Sequence, residues 1–309
     1  MRSGEAARLE AGGAFAQRAR ACGIEERLTL KGTAEWNEDA LVVNPGVSMY
    51  GVLDGATSLH PFRGPNGETG GYLASRTIQQ YLESLQAEDL AGIDLKEAIV
   101  QANVRLREKM KEAGIDLTDP AALWTSALAI VRVHDRYIDY AQVGDCMIAA
   151  TYADGTIRTM SRDQVAHIDY ESKKIWEEAL RTGVQTREEL WELVKPHIRN
   201  NKTRMNTLSG YSVLSGQPEA NDFIEYGRIN RIRLRSILIV SDGLFPPKTS
   251  AQPPADGIGE LVTLIKEKSL EGYAKWLMDL EAEDKECRKY PRFKVSDDKT
   301  AVLIRFDVE

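Results

Sequence analysis

Four acidic groups fall where a β-prone run meets a turn. They are Asn37-Glu38-Asp39 before residues 40–43, Asp54-Gly55 after 50–53, Asp242-Gly243 after 237–241, and Asp297-Asp298 before 300–304. A further Gly144-Asp145 joins two β-prone runs in the middle of the chain. Such ends are where a rigid scaffold displays working side chains. Carboxylates gathered there without a His or Cys cluster suit a hard divalent cation, because magnesium and manganese prefer oxygen ligands. Two such ions about 3.5–4 Å apart can hold a hydroxide between them and clamp a phosphoryl group for in-line displacement. Spacing alone leaves open whether these groups meet in space.

The plain reading of any single Asp-Gly is a hairpin turn. Asp154-Gly155, with β-prone residues 148–152 before it and 156–160 after it, fits that reading and is assigned no chemistry. Asp54-Gly55 and Asp242-Gly243 also follow apolar runs but lead into loops containing Pro and Gly, which a hairpin does not explain.

Other reactive types lack context. Ser58, Ser126 and Ser241 have no Gly-x-Ser-x-Gly setting, and none of His60, His134, His167 and His197 completes a triad pattern. His60, beside Pro61, reads as a loop residue, and Cys146, inside a strand pattern, as a small packed side chain. The Gly-rich run 64–71 precedes a helix but lacks the Gly-Lys-Ser/Thr ending of a phosphate-binding loop, so it reads as flexible loop.

The elements that must position the acids alternate in period. Residues 25–34, 40–44 and 47–53 read as strands broken by Asn44-Pro45-Gly46. Leu73, Ile78, Tyr81, Leu82 and Leu85 then share one helical face, and Leu95, Ile99, Ala102, Leu106 and Met110 another. Asp94 and Glu97 stand at capping-box spacing, with Gly114 as a stop. Strands return over 124–133, 136–143, 147–152 and 156–160, and their tight joins predict antiparallel neighbours. Residues 167–199 read as a polar helical insertion with Thr186 and Glu189 at capping-box spacing. Strands at 223–228 and 234–241, a helical stretch 258–280 interrupted near 269–272, and a last strand 300–306 complete the pattern. Strands grouped with strands and helices with helices predict an α+β fold.

Composition narrows the function. With 309 residues, 42% apolar and 28% charged, the chain can bury a sizeable core. A net charge of -7 argues against a nucleic-acid or anionic-membrane binder, whose affinity would come from basic charge. Three scattered cysteines, Cys22, Cys146 and Cys287, suggest neither a disulfide framework nor a zinc site. No apolar run approaches a membrane span and the first 23 residues lack a secretory apolar core, so a cytoplasmic protein is expected.

Taken in order, Asn37-Glu38-Asp39, Val52-Leu53-Asp54-Gly55, Val143-Gly144-Asp145, Val240-Ser241-Asp242-Gly243-Leu244 and Ser296-Asp297-Asp298-Lys299-Thr300 resemble the motifs of the metal-dependent type-2C serine/threonine phosphatases. The similarity runs from about residue 29 to 306 and includes Trp124-Thr125-Ser126-Ala127, where that family has a Gly-Thr-Thr-Ala type segment. The resemblance implies a divergent bacterial-type member with a four-layer αββα sandwich, two antiparallel sheets flanked by helices. Residues 1–24 would form an N-terminal extension and 25–309 one catalytic domain, with a helical flap inserted at about 164–221. It implies hydrolysis of phosphoserine or phosphothreonine in a phosphoprotein substrate by a hydroxide bridging two Mn2+ or Mg2+ ions. By match, Asp54 bridges both ions, Glu38 and the Gly55 carbonyl serve one, and Asp242 and Asp297 serve the other. Asp54 and Asp242 are thus the expected catalytic pair, Asp145 would hold a third, weaker ion, and Asp39 would support the ligands.

The departures are specific. Ala34 stands where many members carry a phosphate-gripping Arg, leaving Arg63 and Lys31 as candidates by proximity. Ala56 stands where animal members carry a His, and Pro246 where some members have a further metal-binding Asp. Ala34 and Ala56 motivate a rival reading, a catalytically silent phosphatase-fold module that binds a phosphoprotein or other partner. Hydrolysis of a small phosphorylated metabolite is a third. Oligomeric state is left open by the sequence.

Overall fold

The computed structural model of the protein describes residues 25–56, 58–249 and 257–307. The expected N-terminal extension, residues 1–24, lies outside the described residues.

The first strands and helices are β1 (Glu25–Leu30), β2 (Ala40–Asn44), β3 (Met49–Ala56), α1 (Gly70–Ser84) and α2 (Leu95–Glu112). The middle of the chain forms β4 (Thr125–Val133), β5 (Tyr137–Val143), β6 (Met147–Tyr152), β7 (Ile157–Thr159), α3 (Ala166–Arg181) and α4 (Arg187–Lys202). It closes with β8 (Glu225–Asn230), β9 (Leu234–Val240), α5 (Ile258–Lys268), α6 (Leu270–Glu283) and β10 (Lys299–Arg305). One sheet has the order β1-β10-β9-β6-β7 and the other β2-β3-β4-β5-β8, and their strand pairs are antiparallel.

Strand alternation sorts the apolar side chains into layers, because successive residues face opposite sides of a sheet. In β3, Tyr50 and Val52 face the other sheet, where they meet Ile148, Ile237 and Val302. Met49 and Leu53 face α1 and α2, packing with Ile78, Ile99 and Leu106. On the far side, Leu238, Val240 and Leu303 pack against Leu261, Tyr273 and Leu277 of α5 and α6. The result is the expected helix–sheet–sheet–helix sandwich. Among the described residues no helix is long and apolar enough to cross a membrane.

Local signals account for the helix ends. The side chains of Asp94 and Thr186 accept from the backbone N–H groups of Glu97 and Glu189, and Thr186 with Glu189 completes a capping box. The interruption expected near 269–272 is Ser269, at φ 66°, which ends α5 and caps α6.

Several expectations are corrected. β1 stops at Leu30 because the next residues turn to the β10 end: Gly32 N donates to Asp298 Oδ1 at 2.8 Å and Thr33 N to Ser296 O at 2.9 Å. β3 starts at Met49, since Pro45–Val47 forms a 3-10 turn, and it runs on through Ala56, so Asp54 and Gly55 lie inside the strand. Strands β5 and β6 are sequence neighbours but sit in different sheets, and Gly144-Asp145 is the crossing between them. The Gly-rich run is not wholly loop: Gly70 and Gly71 are the first two residues of α1. The helical insertion 167–199 is a pair, α3 and α4, joined around Gly183.

Candidate metal centre

The face of β3 that carries Tyr50 and Val52 continues to Asp54, so Asp54 stands at one end of the layer between the sheets. The partner sheet delivers Asp242 just past β9 and Asp297 just before β10, and the β5–β6 crossing delivers Asp145. The fold therefore brings four of the sequence-predicted acids together. Asp39, Asp242, Asp145 and Asp297 are the neighbouring charges that act on Asp54. Loss of water, then these like charges, raises the Asp54 carboxyl well above its ordinary range. Asp145 is raised well above its own by the same loss and by Asp242, Asp163 and Asp169. Burial also raises Asp242, with Asp297 next in importance.

Behind these acids lies a hydrogen-bonded support. Asp298, buried, accepts from the backbone N–H groups of Gly32 and Glu38, both at 2.8 Å, and so ties the Glu38 loop to the β10 end. The Glu38 carboxylate is buried and accepts from Thr69 Oγ1 at the N-cap of α1, while its carbonyl accepts from Gly55 N at 3.2 Å. Asp39 accepts from Ser241 Oγ at 2.7 Å, and Ser241 Oγ in turn accepts from Thr300 N at 3.0 Å. Burial pushes the Asp39 carboxyl to about 8 despite the Ser241 bond.

A cavity of about 390 Å³ opens beside this end of the layer, lined by Asp145, Asp242 and Asp297 together with Asp163 and Asp169 from the start of the helical pair. Asp163, Asp169 and the cavity-lining bases Lys173, Arg292 and Lys294 are residues the sequence reading missed. Asp163 did carry a signal, since it follows a β-prone run as Asp242 does, and its Oδ1 accepts from Val165 N and Ala166 N at 2.9 and 2.7 Å. Burial and Asp169 raise it to about 6. Lys294 carried none. Its Nζ lies 2.6 Å from Asp297 Oδ1, and although burial opposes its charge, Asp297, Asp54 and Asp242 hold the ammonium well above its usual range. On the Glu38 side, Lys202 at the end of α4 is buried 3.4 Å from Thr125 Oγ1, and burial pulls it down to about 8 against the attraction of Glu38.

The proximity candidates for gripping phosphate are engaged elsewhere. Arg63 pairs with Glu35 at 3.1 Å and Lys31 Nζ donates to Glu35 O at 3.3 Å. His60 pairs with Asp119 at 2.9 Å on the surface, as its loop setting suggested. Burial, then Asp54 and Asp145, pushes the Cys146 thiol well up, which leaves it inert as a nucleophile.

Among the described residues no three His, Cys, Asp or Glu side chains form a closed coordination cage. The donor set nonetheless suits hard cations. It is oxygen-rich, its carboxylates raise one another, and Asp242 Oδ1 is buried without a hydrogen-bond partner at the point where they converge.

A two-sheet sandwich with an acidic centre at one end of its inner layer is the architecture in hand, and the comparisons name its family. The sequence model of the protein phosphatase 2C family matches residues 33–280, and the chain belongs to that family. Among solved structures it is similar in fold to the serine/threonine phosphatase Stp1 from Staphylococcus aureus, with 17% identity and a TM-score of 0.53 over 93% of this chain and 96% of that one. The Mycobacterium tuberculosis serine/threonine phosphatase PstP/Ppp matches at 16% identity and a TM-score of 0.52, over 93% of this chain and 100% of that one. The catalytic domain of PstP in complex with two manganese ions matches at 16% identity and a TM-score of 0.50, over 92% and 98%. Among curated proteins no sequence matches significantly.

Proposed function

We propose that the protein is a metal-dependent phosphatase acting on phosphoserine and phosphothreonine in proteins. The observation that carries this reading is the convergence of Asp54, Asp145, Asp242 and Asp297 from both sheets around the unpartnered Asp242 Oδ1. Family membership and the two manganese ions of the PstP domain support it. In this reading Asp54 would help hold both ions, Glu38 and the Gly55 carbonyl one of them, Asp242 and Asp297 the other, and Asp145 a third, weaker one. Bound Mn2+ or Mg2+ would supply an acidified water and positive charge for the phosphoryl oxygens. The chain's own part is placement. Thr69 orients the Glu38 carboxylate, Asp298 fixes the loop that carries it, and Ser241 holds Asp39 against the β9–β10 pair.

In the same reading residues 25–309 act as one catalytic domain, with about 164–221 as a flap whose Asp169 and Lys173, together with Asp163 just before it, overlook the cavity. A reducing, cytoplasmic setting agrees with Cys146 and Cys287, both free and buried.

The test is hydrolysis of p-nitrophenyl phosphate and of a phosphoserine or phosphothreonine peptide, with manganese and after thorough chelation. Turnover of both substrates that disappears on chelation is expected. Turnover that survives chelation removes the metal mechanism, and none on either substrate at saturating manganese leaves the silent module.

A further inference from the structure

Lys294 stands three residues before Asp297, with its Nζ 2.6 Å from Asp297 Oδ1 and on the cavity wall shared with Asp242 and Asp297. Its backbone is held from three sides. Arg187 Nη2 donates to Phe293 O at 2.9 Å, Arg292 Nε donates to Val295 O at 3.0 Å, and Cys287 Sγ lies 3.7 Å from Lys294 O. Phe293 and Val295 on either side pack into the apolar cluster that Trp176, Leu190 and Val194 of the helical pair build. The fold therefore fixes the backbone from which the ammonium reaches Asp297, although the side chain itself is partly exposed.

An ammonium at 2.6 Å already neutralises much of what Asp297 would offer a second cation, and two cations on one carboxylate repel each other. We propose that Lys294 is a built-in cation of the centre: the chain holds one divalent ion tightly and takes a second on the Asp297 side only by displacing the Lys294 ammonium. The inference rests on the two-ion reading above and assigns the two sites unequal strength. It also couples the helical pair to metal loading, since the same packing that seats α3 and α4 places Lys294.

The test is calorimetric titration of Mn2+ into the full chain, stripped by chelation and desalted, for wild type and Lys294→Met, which keeps the stem and removes the charge. Wild type is expected to take up one ion tightly and a second at least about tenfold more weakly, because an ammonium beside a shared carboxylate opposes a dication by more than thermal energy at an effective dielectric of about 20. In Lys294→Met the second site should tighten by about the same factor. Two ions of similar affinity in wild type overturn the proposal without recourse to the variant, which matters if Lys294→Met folds poorly. An unchanged second site in a folded Lys294→Met overturns it too. Manganese-dependent hydrolysis with two equal sites sinks this inference and spares the phosphatase reading, whereas no bound manganese and no hydrolysis sinks both.

Discussion

Three of the chain's Asp-Gly dipeptides, Asp54-Gly55, Asp242-Gly243 and Asp154-Gly155, are built for opposite ends. Gly155 has φ 87° and open space around it, so it is a glycine chosen for a left-handed turn between β6 and β7. Gly55 and Gly243 have ordinary backbone angles and crowded surroundings. A Cβ on Gly55 would collide with the Gly71 carbonyl at the start of α1, and one on Gly243 with the Asp298 carbonyl. The aspartates differ in the same sense. Asp154 is exposed, and the backbone N–H of Thr156, 3.0 Å from its Oδ1, lowers its carboxyl, whereas loss of water and neighbouring acids raise Asp54 and Asp242. A turn aspartate is satisfied by its own backbone; in the proposed reading, the crowded aspartates are satisfied by a cation.

The largest effect that could break this contrast is on turnover. Asp54→Asn and Asp242→Asn keep the shape of each carboxyl and remove its charge, so each should cut kcat by more than about a hundredfold, beyond what the loss of an outer-shell partner costs. Circular dichroism should show the fold retained. Near-normal turnover in either variant would dissolve the distinction between site and turn.

Next in size is a dependence of stability on pH. The Asp39 carboxyl is held at about 8 against an unfolded value of 3.8, so the folded state binds the extra proton between those limits. The resulting stabilisation is complete below about pH 4 and is lost as pH rises through about 8. For the chelated protein Tm should fall by roughly 5 °C or more between pH 5 and 8. Manganese should flatten the slope, because a cation favours the ionised carboxylates. A chelated protein equally stable at both pH values would mean that burial does not hold Asp39 protonated.

The contrast also marks what could be read without coordinates. Most strands and helices and the acids Glu38, Asp54, Asp145, Asp242 and Asp297 beside β-prone runs were legible, because period and turn residues are written locally, whereas the division into two sheets came only with the family resemblance. The β5–β6 crossing was not, since Gly144-Asp145 looks like another tight antiparallel join and only the packing of two sheets sends the strands apart. Gly70 and Gly71 were misread because composition cannot tell a flexible glycine from one that permits close approach; a Cβ on Gly71 would press on the Glu38 carboxylate. Lys294 and Lys202 were invisible because their roles depend on which acid lies beside them in space.

A smaller effect tests the support behind the acids. Ser241→Ala removes the donor to Asp39 Oδ2 and leaves Thr300 N without its 3.0 Å side-chain acceptor, in a buried setting. The loss should be about 1–3 kcal/mol, the ordinary cost of stranding a buried polar group. Denaturant unfolding at pH 7 measures it. A change below about 0.5 kcal/mol would make Ser241 a passive filler, at the level of an ordinary surface substitution.

The smallest expected effect is at the hairpin, and it sharpens the comparison because it is a null result with a reason. Asp154→Asn retains a side-chain oxygen that can accept from Thr156 N, so the turn keeps the bond that organises it. Only a charge is lost, in a fully solvated position where salt and water screen it. Kinetics with p-nitrophenyl phosphate should stay within about twofold of wild type and manganese affinity should not move, the usual outcome for a surface change away from any special feature. If Asp154→Asn were as damaging as Asp54→Asn, burial and crowding would not be what separates a working Asp-Gly from a turning one, and the assignment of the centre to the end of the inner layer would have to be abandoned.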